Sequence, residues 1–343
     1  MIYKLLLGAV LGLFISITTT ANESPIRLGW QVPWATQGQL VMALKYTNIS
    51  KLTDTHIEYS GFSYGGPLNK AALGNNVDIL LTADQPAMVL VSRNPNFRIV
   101  SRMMYNRVCI YVPPASPLNS LADISGKTIM GPIGAAAERV ALTALKKADV
   151  DITKLRIGQL DMAQQSALLI RNNNNKSWPE IDALFGFDPL PAVFDAQEKA
   201  RMIHCGKVVS VVVAHKDMID KRRDELTQFL KAFKMSWHYF TKNPETLNRL
   251  FSRDSKLEVS NEILDNAASI EPNRWVERYE DLHFGFTNSD YETFDQSNQF
   301  LLNKKIITQP VDMQKFIDLS IVSSAESEPS KELLDAIIVD DAQ

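Results

Sequence analysis

The residues of this chain best suited to bind a small ligand stand in short polar segments that follow predicted strands. The first segment, 31–38, supplies an indole ring and three hydrogen-bonding side chains: Gln31, Trp34, Thr36 and Gln37. A flat aromatic face beside such groups can hold a small polar molecule once water has been removed. We therefore predict a ligand contact here, with simple core packing of Trp34 as the alternative.

The second and third segments are a glycine-rich turn and a polar run. In the turn, glycines let the backbone approach a ligand and amides face the next helix. Its candidate residues are Phe62, Ser63, Tyr64, Gly65 and Gly66. The polar run contributes Thr82, Asp84 and Gln85, just before Pro86. A strand-to-helix turn without a ligand and helix capping by Asp84 or Gln85 are the alternatives.

Two further segments lie near the middle of the chain. One offers free amides at the start of a predicted helix, which favour an anionic group. Its residues are Gly134, Ala135, Ala136 and Glu138. Glu138 would also favour the helix dipole without any ligand. The other segment offers Phe187, which can stack on a ligand or fill the core, and Asp188, which can contact a ligand or cap the helix after Pro189.

Motifs of known catalytic sites are missing from the sequence. It contains no G-x-x-x-x-G-K-[ST], no G-x-G-x-x-G and no H-E-x-x-H, the patterns of phosphate loops, dinucleotide sites and zinc proteases. The histidines show no metal-ligand spacing: they are His56, His204, His215, His238 and His283. We therefore predict no catalytic residue, no metal and no cofactor, although a nucleophile triad assembled in space stays open.

Composition restricts the class of protein further. The chain has 343 residues, 45% hydrophobic and 22% charged, which is enough for two cores of ordinary size. A net charge of -3 provides no basic surface for nucleic acid. With only Cys109 and Cys205, a disulfide-built scaffold and a four-cysteine zinc site are excluded.

The polar segments sit between alternating strands and helices. This alternation predicts an α/β fold with parallel sheets covered on both faces, and ligands bind at the carboxyl ends of such strands. Two apolar runs, 108–112 and 208–214, interrupt the alternation and enclose a separate α/β set. We interpret them as connections between two lobes, the geometry of a hinge. Lobe 1 then comprises 25–112 and 212–322, and lobe 2 comprises 113–211.

Both ends of the chain differ from this α/β body. Residues 1–21 carry one early cation, Lys4, then an apolar stretch and small residues, which is the pattern of a cleaved signal peptide. The pattern predicts export to the periplasm, with a retained anchor as the alternative. Residues 323–343 are rich in acidic and small residues, which predicts a mobile tail.

The two connecting runs also lead to a prediction for the cysteines. Because they run in opposite directions, pairing would place Val112 near Val208 and Cys109 near Val211. Cys205 then lies beyond disulfide reach of Cys109. We predict two free, buried cysteines, with one bridge as the alternative that an oxidising compartment permits.

Five stretches carry a family resemblance: 28–31, 65–74 with 77–79, 116–118 with 121–127, 187–189, and 300–307 with 310–312. In this order they resemble the periplasmic binding proteins of ABC importers for nitrate, taurine and aliphatic sulfonates, a family that includes thiamine-pyrimidine binders. The resemblance covers most of the chain after the leader.

The resemblance implies a type II periplasmic-binding-protein fold, in which two lobes, each a mainly parallel sheet flanked by helices, are joined by two hinge segments. It implies a monomeric protein that captures a small-molecule ligand between the lobes and hands it to an ABC permease with its ATPase. Catalysis and nucleic acid are not implied. Family contacts map onto Gln31, 63–66, 82–85, 134–136 and Asp188.

Charge separates the ligand classes of this family. Sulfonate binders usually carry Ser or Thr where this chain has alanines at 135–137, and the candidate segments contain no Arg or Lys. Beside Asp84, Glu138 and Asp188, an uncompensated anion would be costly to bury. We therefore expect a nitrogen-containing ligand, pyrimidine-like or amine-like, ahead of a sulfonate or taurine. A pyrimidine-forming synthase of the same superfamily and a ligand-sensing lobe for a membrane partner are the alternative functions.

Overall fold

The computed structural model describes residues 24–171, 177–325 and 329–340. The predicted signal peptide, 1–21, lies outside these ranges and stays a prediction. Within the described ranges, no helix combines the length and the apolar character needed to span a bilayer.

One mixed sheet forms the centre of the described chain. Its strands are β1 Ile26–Gln31, β2 Ile57–Phe62, β3 Ile79–Ala83, β4 Phe97–Val112, β5 Thr128–Gly131, β6 Arg156–Gln159, β7 Ala183–Phe187 and β8 Arg201–His215. Their order across the sheet is β2-β1-β3-β8-β4-β7-β5-β6. Strands β1 to β3 are parallel to one another, as are β5 to β7, whereas β8 is antiparallel to β3 and β4. We call β1 to β3 the first half and β5 to β7 the second half.

Helices connect the strands and complete the chain. They are α1 Gln37–Tyr46, α2 Ile49–Leu52, α3 Gly65–Leu73, α4 Asp84–Arg93, α5 Ala136–Lys147, α6 Met162–Arg171, α7 Leu190–Ala196, α8 Lys216–Asp220, α9 Arg223–Lys242, α10 Pro244–Ser255, α11 Asn261–Ala268, α12 Asn288–Asn303, α13 Ser320–Ser324 and α14 Lys331–Asp335. The predicted alternation of strands and helices is confirmed, which establishes an α/β fold.

Apolar clusters cover both faces of the sheet. On β8, Val211 and Val213 belong to one cluster, whereas Val212 and Ala214 belong to the other. Successive side chains of a strand point to opposite faces, so each cluster packs on its own face. A nearly continuous apolar strand at the centre of a sheet is the expected consequence of burial on both sides.

Helix α9 returns the chain to the first half. Its apolar residues recur at helical spacing, as the sequence predicts, and all are buried: Leu226, Phe229, Leu230, Phe233 and Trp237. This helix packs against α1 and α13. The buried stripe therefore attaches the last third of the chain to the side of the sheet from which the chain began.

The two central strands are longer than the sequence predicts. The apolar runs 108–112 and 208–214 are only parts of β4, with 16 residues, and β8, with 15 residues. The two strands pair side by side in opposite directions, with irregular register at three points. Each strand therefore crosses from one half of the sheet to the other without a break.

The register of these strands makes the cysteine prediction wrong. Cys109 lies opposite Cys205, not Val211, and the two form a disulfide with a Cα–Cα distance of 4.1 Å. The predicted register assumed that Val112 meets Val208, whereas Val112 meets Arg201. Because β8 begins at Arg201, its pairing with β4 starts earlier in the chain than the apolar pattern indicates, and this brings the cysteines together.

The acidic C-terminal stretch also differs from its prediction. Residues 329–340 contain α14, and Val339 forms a β-bridge with Thr47. Ile337 is buried, and the Asp340 backbone nitrogen donates to the carbonyl of Tyr46. Apolar residues among the acids account for this packing. A mobile tail is therefore not what the structure shows for these residues.

Candidate ligand-binding site

In both halves, the strands have their carboxyl ends near the same stretch of the central strands β4 and β8. In the first half, Ala83 at the end of β3 pairs with Ser210 of β8, which pairs with Met104 of β4. In the second half, Phe187 at the end of β7 pairs with Val108 of β4. The path along β4 from Met104 to Val108 is about 14 Å. The predicted ligand segments follow these strand ends. We use the name seam for the surface along which the two halves touch.

Hydrogen bonds made by glutamines fix the conformation of the first predicted segment. The backbone nitrogen of Gln31 donates to Oε1 of Gln37 over 2.6 Å, and both side-chain amides donate to the carbonyl of Leu81 over 3.4 Å. Thr36 adopts a positive φ of 65°, and its backbone nitrogen donates to Oε1 of Gln39. Gln31 and Gln37 therefore hold the segment against β3, a role that the sequence alone does not separate from ligand contact.

Trp34 makes an aromatic contact across the seam. Its ring lies 5.3 Å from the ring of Phe187, centroid to centroid, at a tilt of 56°. Beside it, the backbone nitrogen of Ala35 donates to the carbonyl of Asp188 over 3.3 Å. Trp34 is 2% exposed, so in this structure both aromatic residues pack on each other.

The glycine-rich segment crosses the seam through Tyr64. Burial raises the pKa of Tyr64, and the charge of Asp161 adds to the rise, whereas the side chain of Gln159, from the second half, opposes it. Gly65 begins α3, and a Cβ there would lie 2.5 Å from the ring of Pro86. Glycine is therefore required for the close approach of α3 to α4.

The other residues of this segment lie at its edge. Phe62 ends β2, and Ser63 and Gly66 flank Tyr64; all three are partly exposed. The predicted loop thus shrinks to a two-residue bend, because β2 extends to Phe62 and α3 begins at Gly65.

No loop separates β3 from α4 at the third segment. Thr82 lies within the strand, and Asp84 is already the first helical residue, so the predicted loop at 82–85 is wrong. The Asp84 carboxylate accepts hydrogen bonds from Arg139 over 2.6 Å and from Ser297 over 2.7 Å. Burial raises the pKa of Asp84, and Arg139 opposes that rise. Gln85 donates to the carbonyl of Ala135 over 3.2 Å.

At the start of α5, a glutamate of the same helix accepts a hydrogen bond from the backbone. Glu138 accepts a hydrogen bond from the backbone nitrogen of Gly134 over 2.9 Å and pairs with Lys304 of α12 over 3.0 Å. Ala135 and Ala136 are buried beside it. The Gly134 amide predicted to receive an anion is therefore satisfied by a carboxylate of the same chain.

Arg107 of the central strand β4 holds Asp188 in place. Its carboxylate accepts a hydrogen bond from Nε of Arg107 over 2.6 Å, and its backbone nitrogen donates to the carbonyl of Arg107. Burial raises the pKa of Asp188, while Arg107 and the backbone amide of Ala192 oppose the rise. Pro189 occupies the N-cap position of α7, and no side-chain hydrogen bond caps this helix, so capping by Asp188 is not what the structure shows.

The charge balance at the seam differs from the sequence prediction. Each of its three predicted acids has a cation within 3.0 Å: Arg139, Lys304 and Arg107 serve Asp84, Glu138 and Asp188 respectively. These cations stand outside the predicted segments, so the absence of Arg and Lys from the segments does not mean that the site lacks positive charge. Only Arg139, in the helix that follows one of the segments, lay close enough in sequence to be suspected.

Buried polar atoms without partners cluster at the seam. Five of them belong to uncharged side chains, and none has a hydrogen-bond partner among the described residues: Trp34 Nε1, Thr36 Oγ1, Thr82 Oγ1, Gln85 Oε1 and Asn106 Oδ1. Asn106 was not predicted; its amide donates to the carbonyl of Ala35 over 3.3 Å. Its signal in the sequence is an amide side chain two positions before the apolar run 108–112. Leaving such an atom unsatisfied costs about 1–3 kcal/mol.

The same part of the chain matches a family model. Residues 83–247 match the model described as NMT1/THI5 like. This range includes the third segment except Thr82 and both segments of the second half, but not the segments around Trp34 and Tyr64. The comparison with curated proteins gave no match. Among the described residues, no group of three or more His, Cys, Asp or Glu is placed to hold a metal ion.

Solved structures share the whole fold. The alkanesulfonate-binding protein SsuA from Xanthomonas axonopodis pv. citri, bound to MOPS, matches with a TM-score of 0.69 and 15% identity over 87% of this chain and 99% of its own. The periplasmic aliphatic sulphonate binding protein SsuA from Escherichia coli matches with a TM-score of 0.65 and 16% identity over 86% and 97%. The desulfurization enzyme DSZB matches with a TM-score of 0.62 and 14% identity over 87% and 98%.

These findings define the class of protein. The fold is that of the periplasmic binding proteins, as predicted, and the NMT1/THI5-like match over 83–247 supports the family resemblance read from the sequence. Because the identities are low, the solved structures establish the fold and not the ligand.

Proposed function

We propose that this protein is an exported solute-binding protein that closes on a small polar organic ligand at the seam and delivers it to an ABC importer. The observation that carries the proposal is the cluster of five buried polar atoms without partners, because a ligand between the halves would supply what they lack. The NMT1/THI5-like match and the shared fold support it.

The polarity of those atoms narrows the ligand class. Oε1 of Gln85 and Oδ1 of Asn106 accept hydrogen bonds, whereas Nε1 of Trp34 donates one. An amino-substituted nitrogen heterocycle carries both N–H donors and a ring acceptor. We therefore propose a pyrimidine-like or amine-like ligand. A sulfonate or taurine is the second candidate, favoured by the likeness to the SsuA proteins.

Binding requires the halves to separate first. Trp34, Gln85 and Asp188 are buried at the seam, so a ligand enters only from a more open state. We propose that lobe 1, predicted as 25–112 and 212–322, and lobe 2, predicted as 113–211, move as bodies about β4 and β8, with the end of β4 around Cys109 moving with lobe 2 because it is bonded to Cys205. The ion pair from Arg139 to Asp84 then forms on closure, and a ligand that fits the closed form shifts the population toward it.

Export and delivery complete the proposal. Cleavage after residue 21 would release the protein into the periplasm, and a permease with its ATPase would receive the ligand from the closed form. We propose that the protein acts as a monomer. Fractionation of expressing cells with N-terminal sequencing of the mature protein tests the leader; an intact, membrane-bound N-terminus would contradict cleavage.

A thermal-shift screen of the purified protein tests the ligand class. Pyrimidines, amines, taurine, alkanesulfonates and nitrate are compared at equal concentration, and hits are confirmed by calorimetry. A ligand at a hundred times its Kd stabilises the folded state by about 2.7 kcal/mol. We expect pyrimidines or amines to raise the melting temperature. A rise with sulfonates or nitrate alone would contradict the ligand class while leaving the binding function standing.

Turnover is tested separately, because the enzyme DSZB shares this fold. The purified protein is incubated with each hit and with pyrimidine precursors, and the mixture is separated by chromatography. We expect each compound to be recovered unchanged. Formation of a product in proportion to protein would overturn a purely binding role and favour the synthase alternative.

A further inference from the structure

We propose that the protein carries a second binding site, for a small oxyanion such as phosphate or sulfate, in a pocket between α5 and β8. The pocket has a volume of about 380 Å³. It is lined by Arg139 and Lys147 of α5, His204 and Lys207 of β8, and Gln296 of α12, which closes it from the other half. The proposal does not depend on the identity of the ligand at the seam.

The charge of the lining is the first observation. Three cations line the pocket, and no carboxylate of the described residues does; because Asp84 pairs with Arg139 from outside the lining, the charges without a carboxylate partner are those of Lys147 and Lys207. Lys147 and Lys207 take part in none of the ion pairs among these residues, and Lys207 lies 4.1 Å from the centroid of the Tyr105 ring. Concentrating like charges in a concave surface is unfavourable unless an anion compensates them.

The state of Arg139 is the second observation and is independent of the first. Its side chain is 3% exposed, and Nη2 donates to Asp84 over 2.6 Å. Its Nε is buried and has no acceptor among the described residues. A guanidinium has a planar fork of donors that suits two oxygens of an oxyanion. A buried charged donor without an acceptor therefore points to a ligand oxygen at this place.

The chemistry of the lining separates oxyanions from other ligands. Guanidinium and ammonium groups recognise phosphate and sulfate through short, charge-assisted hydrogen bonds. The amide of Gln296 adds a neutral donor. The volume accommodates a free oxyanion or a small phosphate monoester, and both share the tetrahedral group that the cations would contact.

Calorimetry with inorganic phosphate on the purified protein tests this site. Titrations are run at constant ionic strength with chloride as the comparison anion. We expect saturable binding of phosphate that weakens about threefold to tenfold in Lys147→Gln and in Lys207→Gln. Lys146→Gln is the matched control, because Lys146 is the neighbouring residue on α5, is also exposed, and does not line this pocket; its affinity for phosphate should equal that of the wild type.

Four results would overturn the proposal. The first is an absence of saturable phosphate binding, and the second is an equal loss of affinity in Lys146→Gln, which would mean a diffuse charge effect. The third is that Trp34→Phe loses phosphate binding while Lys147→Gln binds phosphate as well as the wild type. That result would mean that the anion binds at the seam. Parallel titrations with glycerol phosphate and with vesicles of phosphatidylglycerol distinguish the sources; binding to vesicles alone also overturns it.

Discussion

Trp34 shows how a single side chain can serve both closure and recognition. Its ring packs on Phe187 across the seam, while its indole nitrogen has no acceptor among the described residues. The ring contact is apolar and does not depend on the nitrogen. Substitutions that separate the two therefore test whether the site lies where we place it.

Trp34→Phe keeps an aromatic ring against Phe187 and removes the N–H donor. We expect the affinity for the ligand found by thermal shift to fall by up to about tenfold, because one hydrogen bond contributes about 0.5–1.5 kcal/mol. Isothermal titration calorimetry measures this change. Trp237→Phe is the matched control, since Trp237 is also buried with an unpartnered Nε1 but lies in α9. Equal affinity in both variants would contradict our placement of the site.

Asp84 is the residue whose loss should most disturb the closed seam. Asp84→Asn leaves the buried Arg139 without a charged partner, and breaking a buried pair costs about 3–5 kcal/mol. We expect a decrease of up to this order in the unfolding free energy of the ligand-saturated protein, in which the seam is closed and the pair is formed, measured with urea. Asp312→Asn is the control, because the pair of Asp312 with Lys315 is exposed and such pairs contribute about 0–1 kcal/mol. A similar decrease in both variants would show that the Asp84 pair is unimportant.

At the scale of elements, β4 and β8 determine how the halves are joined. They lie side by side for nearly their whole length, and Cys109 and Cys205 link them covalently. Cys109 follows Val108, the residue of β4 that pairs with Phe187 at the end of β7. The disulfide therefore joins the two strands on the side of the second half. Bending between the halves is therefore expected on the other side of this link, around Asn106.

Removing the disulfide should reduce stability without changing the fold. The cysteines are 96 residues apart, and closing a long loop restricts the unfolded chain. We expect the double variant Cys109→Ser with Cys205→Ser to lose about 2–5 kcal/mol of unfolding free energy. Chemical denaturation with and without dithiothreitol measures the loss. The reductant should lower the stability of the wild type and leave the double variant unchanged; an effect on both would mean that reduction acts elsewhere.

At the scale of the whole molecule, the structure shows a closed arrangement that leaves polar atoms unsatisfied. Contacts of Tyr64, Gln85 and Trp34 with the second half hold the seam shut. The five atoms without partners oppose closure, because in an open form water would satisfy them. Because water would satisfy these atoms only in an open form, we expect the ligand-free protein to open in solution.

Small-angle X-ray scattering tests this balance. We expect the radius of gyration of the ligand-free protein to exceed the value calculated from the closed structure, and to fall to that value when the ligand is added in excess. Asp84→Asn should enlarge the ligand-free radius further, because the pair with Arg139 bridges the two sides. A radius that matches the closed structure with and without ligand would contradict hinge closure.

The family resemblance and the order of elements were accessible from the amino-acid sequence because both depend on local patterns. Alternating apolar strands and amphipathic helices lie close together in the chain, and the glycine at position 65 is required by a neighbour only 21 residues away, Pro86. Most predicted segments therefore follow the carboxyl ends of the expected strands. The boundaries were less accurate, as at Asp84, where the strand continues directly into a helix.

Only the tertiary structure decided the register and the charge partners. The pairing of Cys109 with Cys205, the cation that Lys304 provides to Glu138, and the position of Asn106 beside Ala35 each join residues far apart in the chain. Such pairings depend on how two long strands align along their whole length and on which helix packs against the seam. A local apolar pattern carries no information about that alignment, because several registers would bury the same apolar side chains.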